Sequence, residues 1–154
     1  MTLPNRKRLR LINFDYSQPD YVYFVTIRTD GFYQFFENRD LAEAVLKALK
    51  FRTDRGDITL YSFCLMPDHL HLLLSLNETY KKSLQDWVSE FKRFTTVTAK
   101  SEFGITHLWQ VNFYDHIVRG EESLSTIADY IVSNPVRKSI VDNWTDYKYC
   151  GYGF

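Results

Sequence analysis

The chain has 154 residues, 45% of them hydrophobic, which is enough to form the core of a single domain. Its 19 Lys and Arg residues balance 19 Asp and Glu residues, which excludes a strong net charge that would attract a polyanion to the whole molecule. No stretch approaches the roughly 20 apolar residues that span a bilayer, and the basic start lacks the apolar stretch of a signal peptide. Two cysteines do not make a disulfide framework, so we expect a reduced cytoplasmic protein without a membrane partner.

The first half of the chain predicts a strand, a helix and a hairpin. Residues 21–28 (YVYFVTIR) are rich in aromatic and β-branched residues, which is typical of a strand. Asn38 is a candidate helix cap, and apolar residues at helical spacing follow it as far as the helix breaker Gly56. Residues 58–76 then predict two apolar strands, which a short turn at Pro67-Asp68 joins into a hairpin.

The second half predicts a long helix, a strand and a last helix. Thr79 is a candidate cap for the long helix, whose apolar side runs through residues 84–94. A fourth strand is predicted at residues 112–118, and a helix over residues 121–134 that Pro135 limits. The order β-α-β-β-α-β indicates an α+β, ferredoxin-like fold, in which two helices pack on one face of an antiparallel sheet. The added last helix can dock on the other face.

Basic residues are concentrated in two regions of the sequence. Four basic residues crowd residues 1–20, and a second cluster of four lies on one later segment, at residues 81–82 and 92–93. Such clusters usually form a solvated face. We expect one domain over residues 1–154, with a basic arm at residues 1–20 and a tail at residues 143–154.

Two histidines alternate with leucines in the predicted strand 69–76 (HLHLLLSL). Because side chains alternate across a strand, the even-numbered leucines face the helices, and His69 and His71 project together from the other face. Two neutral imidazoles at this spacing can bind one metal ion. The alternative is a pair of polar residues on a hydrated face. The position of the pair, central in an apolar hairpin and on the uncovered face, gives the metal site equal weight.

The last predicted helix carries Tyr130 and Asn134 one turn apart, beside an apolar stripe. If the stripe docks on the free face of the sheet, both side chains lie at the edge of a shared cleft. Asn134 could then supply an oxygen as a third metal ligand. The alternative is that Tyr130 is a residue of the core edge and that Asn134 merely ends the helix. Because the chain has 11 tyrosines, side-chain chemistry alone does not select a nucleophile.

Several motifs, in the same order, resemble those of the REP-associated branch of the HUH single-tyrosine transposases. Residues 64–71 (CLMPDHLH) are similar to the histidine motif of that family. The other similar segments are residues 23–27 (YFVTI), 91–95 (FKRFT), 109–110 (WQ), 113–116 (FYDH), 129–131 (DYI) and 134–135 (NP). The resemblance covers nearly the whole chain. It weakens at residues 144–154, which are only loosely similar to the family's tryptophan-and-tyrosine tail.

The resemblance implies a transposase that nicks and rejoins single-stranded DNA at hairpin-associated sites through a 5′-phosphotyrosine intermediate. Tyr130 would be the nucleophile, and His69, His71 and Asn134 would bind Mg²⁺ or Mn²⁺. His116 would orient Tyr130, contact phosphate or form a structural hydrogen bond. The expected DNA-binding residues are Arg6, Lys7, Arg8, Arg10, Lys92 and Arg93.

The expected partner is single-stranded or hairpin DNA, such as the short repeated palindromes of bacterial genomes. The protein would lie in the bacterial cytoplasm, at the nucleoid when bound to DNA, as a monomer or a homodimer. Three alternatives stay open. The same fold can host a module that binds nucleic acid without cutting it, a phosphodiesterase that uses activated water, or a domesticated descendant without activity.

Overall fold

A computed structural model describes residue 17 and residues 21–119 and 123–154 of the chain. The basic residues Arg6, Lys7, Arg8 and Arg10 of the predicted arm lie outside the described residues. None of the helices in the described ranges is both long and apolar enough to cross a membrane.

The elements follow the predicted order and confirm the α+β, ferredoxin-like fold. Five strands form one antiparallel sheet in the order β4-β1-β3-β2-β5. The elements are β1 (Val22–Arg28), α1 (Arg39–Arg55), β2 (Ile58–Met66), β3 (His69–Leu76), α2 (Leu84–Phe103), β4 (Tyr114–Ile117), α3 (Leu124–Val132), α4 (Asn134–Arg137) and β5 (Cys150–Gly151). The strand β5, at the edge beside β2, is an addition that the sequence did not predict.

Each of the two long helices begins at a capping residue, and the sequence predicted one of these two caps correctly. Asn38 caps α1, because its side chain accepts hydrogen bonds from the backbone N–H groups of residues 40 and 41. The expectation that Thr79 caps the second long helix is wrong. Ser83 forms a capping box with Asp86 instead, and the Thr79 hydroxyl donates to the carbonyl of Gly56 at 3.1 Å.

The last predicted helix is divided into two. α3 begins after its cap Ser123 and ends at Val132, and α4 begins at Asn134. Pro135 lies in the first turn of α4, where its missing N–H has no helical acceptor to lose. The prediction of one continuous helix to Asn134 is therefore wrong, although Tyr130 and Asn134 stay close.

Helices pack on both faces of the sheet. Leu70, Leu72 and Leu74 of β3 are fully buried in the core that α1 and α2 cover, which confirms the predicted alternation. On the opposite face, Ile127 and Ile131 of α3 pack in a second cluster with Phe24, Cys64 and Leu73. The face that carries His69 and His71 is therefore only partly covered, and this leaves room for a cleft beside α3.

Residues 144–152, here called the tail segment, run along the edge of the sheet beside α3. Cys150 of β5 lies directly opposite Cys64 of β2. The Tyr147 hydroxyl donates to the carbonyl of Leu65 at 2.6 Å. The Tyr152 hydroxyl donates to Oδ1 of Asp129 at 2.6 Å, so the tail segment is bonded to both β2 and α3.

Candidate active site

A cleft of about 880 Å³ lies on the face of the sheet that α3 covers in part. Five residues selected from the sequence line it together: His69, His71, His116, Tyr130 and Asn134. They come from β3, β4, α3 and α4, so the tertiary fold brings together side chains that are up to 65 residues apart.

His69 is held from one side by a neighbouring carboxylate. Its Nδ1 lies 2.6 Å from Oδ1 of Asp68, and because a carboxylate only accepts, the imidazole donates its Nδ1–H. The lone pair of the neutral ring is then on Nε2, which accepts from the side-chain amide nitrogen of Asn134 at 3.3 Å. Burial lowers the pKa of His69 and outweighs the opposing effect of Asp68.

His71 lies beside His69, with ring centroids 4.6 Å apart and ring planes at 72°. Its Nδ1 is 2.8 Å from the hydroxyl of Thr26, its partner across the β1–β3 pair. Burial, followed by the repulsion that a protonated His69 would exert, lowers the pKa of His71 well below its ordinary value. Both imidazoles are therefore neutral near pH 7, the form in which histidine binds metal ions.

The donor set fits a divalent cation. Asp68 and Thr26 engage the Nδ1 atoms of the two rings, and such partners orient metal-binding histidines through the nitrogen that does not bind the metal. Rotation of the Asn134 amide about its last bond would present its oxygen in place of nitrogen. Two imidazoles and an amide oxygen suit Mn²⁺ or Mg²⁺. The described residues contain no group of three or more His, Cys, Asp or Glu side chains able to hold a metal, so an amide would have to complete the set.

Tyr130 is half-buried on α3 and contacts rings and charges on two sides. Its ring centroid is 6.4 Å from that of Phe24. The guanidinium carbon of Arg137 lies 3.8 Å from the Tyr130 ring centroid, within cation–π distance. Arg137 in turn donates to the Ser133 hydroxyl at 2.5 Å. These contacts hold the Tyr130 ring close to the break between α3 and α4, after which Asn134 lines the cleft.

The remaining predicted residues have different positions. His116 of β4 lies opposite Phe24 of β1 and lines the cleft. Lys92 and Arg93 lie on α2, which packs on the other face of the sheet, so the structure does not bring them to the cleft. Lys92 donates to the carbonyls of Gln110 and Val111.

Several cleft residues were missed in the sequence. Thr26 and Arg28 line the cleft from β1, and the same alternation that separated the faces of β3 would have placed them beside Phe24. Asp68 immediately precedes the first histidine. Lys138 follows α4 and lines the cleft as a second basic residue.

Comparisons with known proteins agree with one another. The family model described as Transposase IS200 like matches residues 17–134. A REP-associated tyrosine transposase of Escherichia coli K12 is 26% identical over 101 residues, which cover 66% of this chain and 58% of that protein. A Haemophilus influenzae protein, provisionally named a REP-associated tyrosine transposase, is 27% identical over 100 residues, which cover 59% of this chain and 57% of that protein. The chain thus spans little more than half the length of these relatives.

Solved structures share the fold. A REP-associated tyrosine transposase bound to a REP hairpin matches with a TM-score of 0.66 and 22% identity, over 97% of this chain and 82% of that one. A Deinococcus radiodurans protein, provisionally named a transposase, matches with a TM-score of 0.55 and 19% identity, over 79% of this chain and 94% of that one.

Proposed function

The chain belongs to the IS200-like transposase family, whose model matches residues 17–134, and on that premise we propose that it cleaves and rejoins single-stranded DNA through Tyr130. One observation supports this most strongly. A half-buried tyrosine, two neutral histidines and an asparagine line a single cleft, which puts a candidate nucleophile and candidate ligands for a cation in one site.

The tyrosine performs the covalent step. Tyr130 Oη attacks the phosphorus, the Oη–P bond forms and the P–O3′ bond breaks. The phenol proton passes to solvent, and the departing oxygen takes a proton to become a 3′ hydroxyl. A 5′-phosphotyrosine link remains. Because this link keeps the energy of the phosphodiester, attack by a 3′ hydroxyl rejoins the strand without ATP.

His69, His71 and Asn134 would hold a divalent ion, Mg²⁺ or Mn²⁺. When bound, such an ion polarises the scissile phosphate and offsets charge on its oxygens. Asp68 and Thr26 keep the two imidazoles oriented towards it. Arg137, against the Tyr130 ring, adds a fixed positive charge near the entering phosphate. His116 would contact that phosphate or orient the phenol from β4.

The substrate that fits best is flexible DNA. The scissile phosphate must enter a cleft between a sheet and a docked helix, which a single strand does more readily than a duplex. Arg28 and Lys138 line the cleft and can contact the backbone. Since a structurally similar transposase was solved with a REP hairpin, we propose hairpin-associated sites in palindromic bacterial DNA. The basic arm with Arg6, Lys7, Arg8 and Arg10 would grip the hairpin, in the cytoplasm of the cell.

A denaturing gel tests the reaction. End-labelled single-stranded DNA with imperfect hairpins is incubated with the protein and Mg²⁺ or Mn²⁺. We expect a protein-linked band that disappears with EDTA, with Tyr130→Phe and with the double change His69→Ala/His71→Ala. Tyr114→Phe is the matched control, because Tyr114 lines the same cleft and should leave the band intact.

Two outcomes would contradict the proposal. Free cleavage products with Tyr130→Phe would show that water, not the phenol, attacks phosphorus. Binding without adduct or cleavage, across many hairpins and both metals, would favour a module on the same fold that binds nucleic acid and does not cut it.

A further inference from the structure

The loop between β1 and α1 carries an exposed aromatic ring beside Arg28, a residue that lines the cleft. Phe32 is 60% exposed, although burial of such a ring is strongly favourable. Arg28, four residues before it, and Gln34, two residues after it, both line the cleft. The exposed ring therefore lies on a loop that leaves the cleft wall and returns to it.

The backbone at Phe32 is strained and yet firmly held. Its φ is 57°, in the left-handed region that a bulky side chain rarely adopts. The Thr29 N–H donates to the carbonyl of Asp68 at 2.9 Å, and the Thr29 hydroxyl donates to the carbonyl of Tyr33 at 2.7 Å. The N–H of Asp30 donates to the carbonyl of Leu108 at 2.9 Å. The surrounding fold thus imposes a conformation that directs Phe32 outward.

The neighbouring ring has a structural role that Phe32 lacks. A Cβ added to Gly31 would come within 2.9 Å of the Tyr33 ring, so Tyr33 packs closely over the glycine. The Tyr33 ring also contacts Phe35, with centroids 5.5 Å apart. Tyr33 therefore helps to shape the loop, and Phe32 is presented by it.

Arg28 connects the ring with the histidines. Its guanidinium carbon lies 6.0 Å from the Phe32 ring centroid, within the range of a cation–π contact. In the β1–β3 pair, Arg28 is the direct partner of His69. Outward from a phosphate at the histidines, a bound strand would thus meet Arg28 and then Phe32.

We propose that Phe32 and Arg28 form a stacking site for one unpaired nucleobase beside the scissile phosphate. The base stacks on the exposed ring, and Arg28 contacts the adjoining phosphate. This inference rests on the proposed function, since it concerns the same DNA strand. One ring with an adjoining cation fits a nucleobase, whereas a protein partner would need an interface of about 20 to 30 residues on each side.

Equilibrium binding tests the site without requiring cleavage. The substrate is a hairpin with an unpaired flank that carries 2-aminopurine, read by anisotropy and by quenching of its fluorescence, in the Tyr130→Phe background. Base stacking on one ring is typically worth about 5- to 150-fold in Kd. We expect Phe32→Ala to weaken binding within that range and to relieve the quenching of 2-aminopurine. Phe32→Trp should recover both the affinity and the quenching of the parent.

Two further variants make the result specific. Phe32→Asn removes the ring but tolerates the left-handed backbone, so it should behave as Phe32→Ala does. Phe51→Ala is the matched control, because Phe51 is 57% exposed beside Arg55 on α1, away from the cleft, and should bind as the parent does. A flank with an abasic position should abolish the difference between Phe32→Ala and the parent.

Equal Kd values for Phe32→Ala, Phe51→Ala and the parent would overturn the stacking site. The stacking site would also be overturned if Phe32→Ala lost as much affinity on the abasic flank as on the intact flank, because the ring would then act without a base. Neither result depends on covalent chemistry. A missing adduct with Tyr130 intact would instead contradict the proposed function and leave the stacking result unaffected.

Discussion

Burial sets the protonation state of His69 and His71. Removal from solvent is the largest influence on both rings, and for His69 it exceeds the attraction of Asp68. The imidazoles therefore stay neutral at pH values where a solvent-exposed histidine is already partly charged.

This burial makes the stability of the metal-free protein depend on pH. The unfolded chain takes up protons below about pH 6.5, whereas the folded rings resist protonation, so acid favours unfolding. We expect the contribution of these two rings to the free energy of unfolding to be complete above that pH. Below it, the contribution should fall by up to about 1.4 kcal/mol per pH unit for each ring. Urea titrations from pH 7.5 to 5 in EDTA measure this. His71→Gln should reduce the slope, and a slope unchanged from the parent would contradict it. The exposed His107→Gln is the control.

Thr26 acts on His71 from the neighbouring strand. When Nε2 of His71 binds a cation, its Nδ1–H donates to the Thr26 hydroxyl, which fixes the ring and its tautomer. Thr26→Val should therefore weaken Mn²⁺ binding by about 10- to 100-fold. Titration calorimetry measures the affinity. Thr59→Val is the control, because Thr59 lies at the start of β2, outside the cleft, where its hydroxyl donates to Asn77. Equal affinities for both variants would exclude this role.

The tail segment holds α3, the helix that carries Tyr130, in place against the sheet. Tyr152 donates to Asp129, the residue that precedes Tyr130, while β5 is paired with β2. We expect Tyr152→Phe to lower stability by about 1 kcal/mol, to speed amide exchange in α3 and to slow adduct formation, with DNA affinity unchanged. Tyr149→Phe makes the same change in the same segment and serves as the control. Slow adduct formation with unchanged exchange in α3 would contradict a positioning role.

Elements with local signals were predictable, and those set by distant contacts were not. Asn38 and Gly56 mark the ends of α1 because caps act within one turn. Thr79 has the same chemistry as a cap, but its hydroxyl is engaged by Gly56, which is 23 residues away. The strand β5 has two residues, and its pairing with β2 has no local signature.

One molecule contains both parts of the candidate site, the tyrosine and the histidine pair. Tyr130 lines the same cleft as His69 and His71, and α3 packs on the sheet that carries them. We therefore expect that mixing Tyr130→Phe with the His69→Ala/His71→Ala protein restores no adduct. Recovery of the band on mixing would show that the tyrosine serves the histidines of a second molecule. Parent protein diluted to the same concentration of intact sites is the control.

The candidate site was predictable to different degrees. The alternation in β3 predicted the shared face of His69 and His71, because that pattern is set by strand geometry alone. Tyr130 was distinguished from the other tyrosines by family resemblance. The contact of Arg137 with its ring depends on the break between α3 and α4 at Ser133, which the sequence pattern did not predict.

The position of the histidines on β3 also bears on how the folded state opens. β3 is paired on both sides, with β1 and β2, whereas α3 is a nine-residue helix on the outside of the sheet. Partial unfolding reaches outer elements before central strands. Mild denaturant should therefore release the phenol while the two imidazoles keep their arrangement, so Tyr130 belongs to an earlier cooperative unit than the histidine part of the proposed cation site.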